Sequence, residues 1–211
     1  MKKLAAVSLI FALLALALVV NARTIDADIP APPMIGATIG DFTLPDTGGA
    51  AHTLASLKGK NGTVLIFIAV QCPVSNAYNE RMEKLAQDYQ ARGINVVGIN
   101  ANSTESAADV KDHAAKNNLT FTILKDNGNK VADTLGATRT PEAYFLDANN
   151  KLLYHGRIDS SRDSSQVNSS ELRDALEATL AGKPVPKTTA SAFGCSIKRP
   201  EYLDSTPKYV P

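Results

Sequence analysis

Short apolar runs alternate with stretches of helical period through the middle of the chain. The run at 63–70, ending in Leu65-Ile66-Phe67-Ile68-Ala69-Val70, predicts a buried strand. Residues 75–91 then place Met82, Leu85 and Tyr89 three and four apart, with Glu80, Arg81, Glu83, Lys84 and Asp88 outside, which predicts a helix closed by Gly93. A strand at 94–100, a helix from 103–106 to 117, a strand at 121–124 and a short helix at 130–135 follow. Residues 143–158 read as two strands joined by the Asn149-Asn150 turn, and Leu172, Leu176 and Leu180 mark a last helix at 169–181. Before all of these, residues 41–45 and 51–54 flank Asp46-Thr47-Gly48-Gly49 as a small edge hairpin. The order β-β-β-α-β-α-β-α-β-β-α demands parallel crossovers with an antiparallel close, an α/β architecture with a mixed sheet.

The N-terminal pattern is of another kind. Residues 4–20 are apolar except for Ser8, follow Met1-Lys2-Lys3 and lead to Val20-Asn21-Ala22, the pattern of a secretory signal with cleavage after Ala22. A retained membrane anchor is the competing reading, because the run is near the length that can span. The expected division is a signal at 1–22, an extended lead-in at 23–38 containing Pro30, Pro32 and Pro33, one domain at 39–182, and an extended tail at 183–211. The expected location is outside the cytoplasm, periplasmic or secreted, in a bacterium. Loss of Lys2 and Lys3 takes the net charge from +1 to −1, which gives no electrostatic case for nucleic acid.

The chemistry concentrates at Gln71-Cys72-Pro73-Val74-Ser75-Asn76, where a strand delivers a thiol to a helix start. Unpaired N–H groups there favour the thiolate, the reactive form. Ser75 is placed to donate a hydrogen bond to that sulfur or to cap the helix. A lone nucleophilic thiol needs a second thiol to resolve its product, and Cys195 is the one internal candidate. A redox-cycling pair, a permanent structural bridge and two cysteines that never meet all remain open at this point. Pro141, directly before a strand, is a candidate for a cis bend. Cys72, Cys195 and His155 could together offer a soft site for Cu(I), although no metal or other cofactor is expected. His52 and His113 read as surface histidines.

The strand-Gln71-Cys72-Pro73-Val74-Ser75-helix segment, Thr140-Pro141 before a strand, and the hairpin ending Tyr154-His155-Gly156-Arg157-Ile158-Asp159 together resemble the thioredoxin superfamily, in its peroxiredoxin-like and redoxin branch. The resemblance covers residues 39–182. It implies a thioredoxin-like three-layer α/β/α fold with an N-terminal β-hairpin extension. It also implies Cys72 as nucleophile, with Thr140 and Pro141 docking an extended thiol substrate. Two departures stand out: Gln71 replaces the usual Trp, and Ser75 replaces the second Cys of Cys-x-x-Cys. Peroxiredoxins place their peroxide-attacking Cys at the Ser75 position. The expected function is a thiol-dependent oxidoreductase, by disulfide exchange or peroxide reduction. Its partners would be protein or small-molecule thiols and disulfides, with an external thiol as electron donor, and a membrane only if the signal stays attached. The alternatives are a copper- or thiol-client-binding protein and a structural domain locked by Cys72–Cys195.

Overall fold

In a computed structural model, residues 29–200 are described. The expected signal and the end of the tail, at 201–211, lie outside them. A six-stranded mixed sheet runs in the order β5-β4-β3-β7-β8-β9, with β3 at Gly62–Ile68, β4 at Ile94–Asn100, β5 at Ile123–Lys125, β7 at Glu142–Leu146, β8 at Leu152–Gly156 and β9 at Thr189–Ala190. Strands β3, β4 and β5 are parallel, and β7 runs antiparallel to both β3 and β8. The edge hairpin forms as expected, β1 at Thr43–Pro45 against β2 at Ala51–Thr53.

The central strand is apolar on both faces because both are covered. Its side chains alternate: Val64, Ile66 and Ile68 join one core with Met82, Leu85, Tyr89, Leu172 and Leu176. Leu65 and Phe67 join the other core with Val97, Leu124, Leu135, Tyr144 and Leu44. The first core lies under α2 (Asn79–Gln90), α3 (Ala107–Lys116) and α5 (Glu171–Leu180); the second lies under α4 (Lys130–Leu135) and the edge hairpin. The result is three layers around a mixed sheet.

Three boundaries differ from the sequence reading for identifiable reasons. The helix expected at 75–91 is broken into α1 (Pro73–Asn76) and α2, with Ala77 and Tyr78 between them. Strand β3 stops at Ile68, because the N–H groups of Val70 and Gln71 turn away to the Glu105 carboxylate. Helix α3 starts three or four residues late, since Ser106 and Asp109 form its capping box and Glu105 is drawn inward.

The tail also contributes to the sheet. Strand β9 pairs parallel with the C-terminal end of β8, His155 opposite Thr189 and Gly156 opposite Ala190. Gly156 admits this contact, since a Cβ there would lie 1.9 Å from the Ala190 carbonyl oxygen. Near this edge Glu171 accepts charge-assisted bonds from Arg157, which with the Ser169 hydroxyl outweigh burial and lower its pKa to about 2. A carboxylate held below its unfolded value of 4.5 contributes stability that is complete above that pH and is lost as pH falls toward 2. Urea midpoints measured across that window should fall with acidification in the native protein, and fall less in Glu171→Gln.

Candidate active site

Cys72 occupies the cap position of α1, at φ −95° and ψ 112°, where its sulfur accepts the Ser75 backbone N–H at 3.3 Å. Pro73 takes the first helical position, where a missing N–H costs nothing. Across from it lies β6 (Arg139–Thr140), followed by the cis Thr140–Pro141 peptide bond. The Cys72 thiol donates to the Thr140 carbonyl at 3.3 Å.

The tail completes the site. Strand β10 (Cys195–Ser196) pairs antiparallel with β6, Cys195 opposite Thr140 and Ser196 opposite Arg139. The Cys195 thiol is within hydrogen-bonding reach of the Cys72 sulfur, and both thiols are free. The register depends on Gly194, at φ +141°, where a Cβ would sit 2.0 Å from the Thr140 carbonyl oxygen. Anchors flank the cysteine on both sides. Phe193 packs against the Tyr78 ring, with centroids 6.3 Å apart. Beyond it, the Ile197 N–H donates to the Thr138 carbonyl, and Arg199 reaches Asp133 and the Ala137 carbonyl.

Burial pushes the Cys72 thiol up. Hydrogen bonds from the Cys195 thiol, the Ser75 N–H, the Thr140 side chain and the Cys195 backbone outweigh it, so its pKa lies below the ordinary value. Cys195 moves the other way, raised by burial and by the neighbouring Cys72. Cys72 therefore ionises first, and the Cys195 thiol is the donor that stabilises it.

Ser75 supports the sulfur through its backbone. Its hydroxyl accepts the Ala69 N–H at 3.1 Å, and the helix cap is Cys72 itself. Ser75→Ala should thus leave the pH profile of Cys72 alkylation unmoved. Orphaning the buried Ala69 N–H should still cost about 1–3 kcal/mol in a denaturation experiment.

Two buried carboxylates position the loops that carry these groups. Glu105, only 2 % exposed, accepts the Val70 and Gln71 N–H groups at 3.0 and 2.8 Å and the Asn100 side-chain amide at 2.5 Å. Lys125, also buried, donates to the Asn100 side chain at 2.8 Å and the Asn102 carbonyl at 2.7 Å. Asn102 in turn accepts the Lys198 N–H at 2.7 Å, and Ser103 N–H donates to the Lys198 carbonyl. The segment 100–105 thus grips the loop before Cys72 and the tail after Cys195 together. On the other side, Glu142 accepts the Thr138 and Arg139 N–H groups, both at 2.8 Å, and fixes the approach to Pro141. Burial pushes Glu142 up, but His155 and those two N–H groups outweigh it and bring it below its ordinary range.

Other candidates go elsewhere. His155 bonds Glu142 at 2.6 Å and stacks on Tyr144, and no three His, Cys, Asp or Glu side chains among the described residues group to hold a metal ion. Asn76 ties its side-chain amide to the Val70 carbonyl, and Arg81 pairs with Asp159 at 2.6 Å while covering the Tyr78 ring. His52 bonds Asp46, and His113 contacts Asn79 and Asn117. Glu105, Lys125 and Glu142 escaped the sequence reading. The one available signal was a charged residue at the end of a strand or the edge of an apolar run.

A cysteine at a helix start, just beyond a central strand and faced by a cis-proline loop, lies at the centre of a thioredoxin-like fold. The family model described as AhpC/TSA family matches residues 35–155, and the chain belongs to that family, whose members here are oxidoreductases. It is 30 % identical over 118 residues to the thiol-disulfide oxidoreductase ResA of Geobacillus thermodenitrificans, covering 56 % of this chain and 66 % of that one. It is 34 % identical over 136 residues to the chloroplastic peroxiredoxin Q of Sedum lineare, covering 58 % and 69 %. The chain therefore spans about two thirds of the length of these curated relatives. A crystal structure of a hypothetical protein from Sinorhizobium meliloti 1021 superposes with a TM-score of 0.74 at 34 % identity, covering 80 % of this chain and 96 % of that one.

Proposed function

We propose that this protein is an exported thiol–disulfide oxidoreductase in which Cys72 and Cys195 cycle between dithiol and disulfide. The observation that carries the reading is the β10–β6 register, which brings a tail cysteine from 123 positions away onto a sulfur already biased toward thiolate. Cys72 attacks one sulfur of a substrate disulfide and expels the other as a thiolate. The Cys195 thiolate then attacks the Cys72 sulfur and expels the second, leaving two substrate thiols and one protein disulfide. The Thr140–Pro141 backbone, which carries β10 in this structure, becomes the wall on which the substrate docks when the tail lifts from β6, and an external thiol restores the pair. Export rests on the apolar run at 4–20, which lies outside the described residues.

Peroxide reduction is the second reading, supported by the enclosure of Cys72 at 2 % exposure, which a small oxidant passes more readily than a polypeptide. Single-turnover thiol release from a model disulfide, run beside peroxide consumption, separates the two. Under the first reading Cys72→Ser loses disulfide turnover by about a hundredfold or more. Cys195→Ser completes the first displacement and stalls as a mixed disulfide. Undiminished turnover in Cys72→Ser overturns the assignment. A Cys72–Cys195 bond that resists dithiothreitol assigns the pair to structure instead.

A further inference from the structure

Cys72 lies beneath β10 at 2 % exposure, so a polypeptide disulfide reaches its sulfur only by taking the place that Gly194 and Cys195 hold on β6. The tail is the resident occupant of the edge a substrate must use, and its side chains mark what that edge accepts.

Four positions of the tail are constrained. Cys195 stands opposite Thr140, whose hydroxyl donates to the Cys195 carbonyl at 3.4 Å. The position before it admits no side chain: at φ +141° a Cβ would lie 2.0 Å from the Thr140 carbonyl oxygen. One residue further back, Phe193 meets the ring of Tyr78, which Asp159 holds by its hydroxyl and Arg81 covers. Two residues past the cysteine, Ile197 is buried in the core that contains Leu135 and Ala137, while its N–H donates to the Thr138 carbonyl. Ser196, between them, is exposed and restricts nothing.

We propose that the substrate is an extended polypeptide that replaces β10 on β6, with Gly directly before its cysteine, an aromatic residue before the Gly and an aliphatic residue two after the cysteine. This rests on the reading of Cys72 and Cys195 as a redox pair acting on disulfides, and adds a sequence requirement to it. Backbone pairing alone accepts any extended segment, whereas the Thr140 carbonyl, the Tyr78 ring and the Ile197 seat discriminate among side chains.

The exchange balances. The Cys72 thiolate bonds to the substrate's cysteine sulfur, and the sulfur formerly bonded there leaves as a thiolate with the electron pair. When the tail returns to β6, the Cys195 thiolate attacks the Cys72 sulfur and expels the substrate cysteine as a thiolate. Substrate and tail pair with the same edge and exclude one another, so closing the protein disulfide also ejects the reduced substrate.

The test uses the full native chain, reduced, and synthetic peptides copying residues 191–198 with the cysteine carried as a mixed disulfide with thionitrobenzoate. Attack on the peptide sulfur releases coloured thionitrobenzoate. Each rate is divided by that of the same peptide with 2-mercaptoethanol, which removes differences in intrinsic reactivity. Occupancy of β6 by the tail slows every peptide equally and cancels in the comparison. Val in place of the Gly should lower the normalised rate by about tenfold, and Ser in place of the Phe or of the Ile by about threefold. Equal rates for the Gly and Val peptides, or neutral replacement of Phe and Ile, overturn the proposal and leave the redox pair intact. So does release from dithiobis(nitrobenzoate) but from no peptide. No release from either overturns Cys72 as the nucleophile, and the proposal with it.

Discussion

Gly194→Val should disconnect the two cysteines while leaving the fold in place. The backbone there sits at φ +141°, outside the range a β-branched residue adopts, and the new Cβ would meet the Thr140 carbonyl oxygen at 2.0 Å. Neither party can yield: Thr140 is held by β6 and by the adjoining cis-proline, whose approach Glu142 fixes. The tail must therefore lift off. Cys195 then becomes a thiol on a tether, and its effective concentration at Cys72 should drop by about a hundredfold from that of an oriented neighbour. Equilibration in glutathione buffers measures this as the fraction of Cys72–Cys195 disulfide. The thermal midpoint should fall by several degrees without loss of the fold, because β10 itself spans two residues, but its flanking Phe193 and Ile197 are drawn off the two cores when the tail lifts. Cys72 should also alkylate faster as its cover leaves. An unchanged disulfide equilibrium in a folded Gly194→Val protein would show that the β6 register does not hold the pair together.

Glu105→Ala should carry the largest stability penalty of any single polar substitution near the site. The carboxylate satisfies two backbone N–H groups and the Asn100 amide, and its charge faces the buried Lys125 ammonium. Removing it leaves buried donors unpaired and a buried cation less compensated, together about 3–5 kcal/mol. For a domain of this size that corresponds to a fall of roughly 10 °C in thermal midpoint. Glu105→Gln retains one acceptor and should lose about half as much. Lys125→Met should be milder than Glu105→Ala, because Glu105 keeps its three donors. Calorimetry on the three variants checks the ranking, and a cost below about 1 kcal/mol for Glu105→Ala contradicts the role given to the carboxylate.

The sequence and the structure agree where local pattern decides the outcome. The apolar run before Cys72 had to be an interior strand, Pro73 suits a first helical turn, and Leu172, Leu176 and Leu180 repeat with helical period. The proline at 141 carried its own signal, as did the edge hairpin with its Gly turn. The tail was opaque for a physical reason. Strands β9 and β10 are two residues each, too short to show any period, and each depends on a glycine that lets backbone approach backbone, the distant Gly156 for β9 and the adjoining Gly194 for β10. Cys195 could be named as a partner, but no local feature fixed whether it would meet Cys72. Glu105 was hidden because an acid beside Ser106 reads as part of a helix start, whereas tertiary contacts turn it toward Val70 and Gln71. Spacing offers the Ser75 hydroxyl either to the sulfur or to a helix cap, whereas the helix start supplies the backbone N–H to the sulfur and leaves the hydroxyl for Ala69.

Disulfide mapping of the native chain after mild oxidation tests the account most directly. A single intramolecular bridge between Cys72 and Cys195, formed in nearly every molecule and reopened by a small thiol, is the result it predicts. Sulfinic acid accumulating on Cys72 while Cys195 stays a free thiol, or bridges that join separate chains, would contradict it.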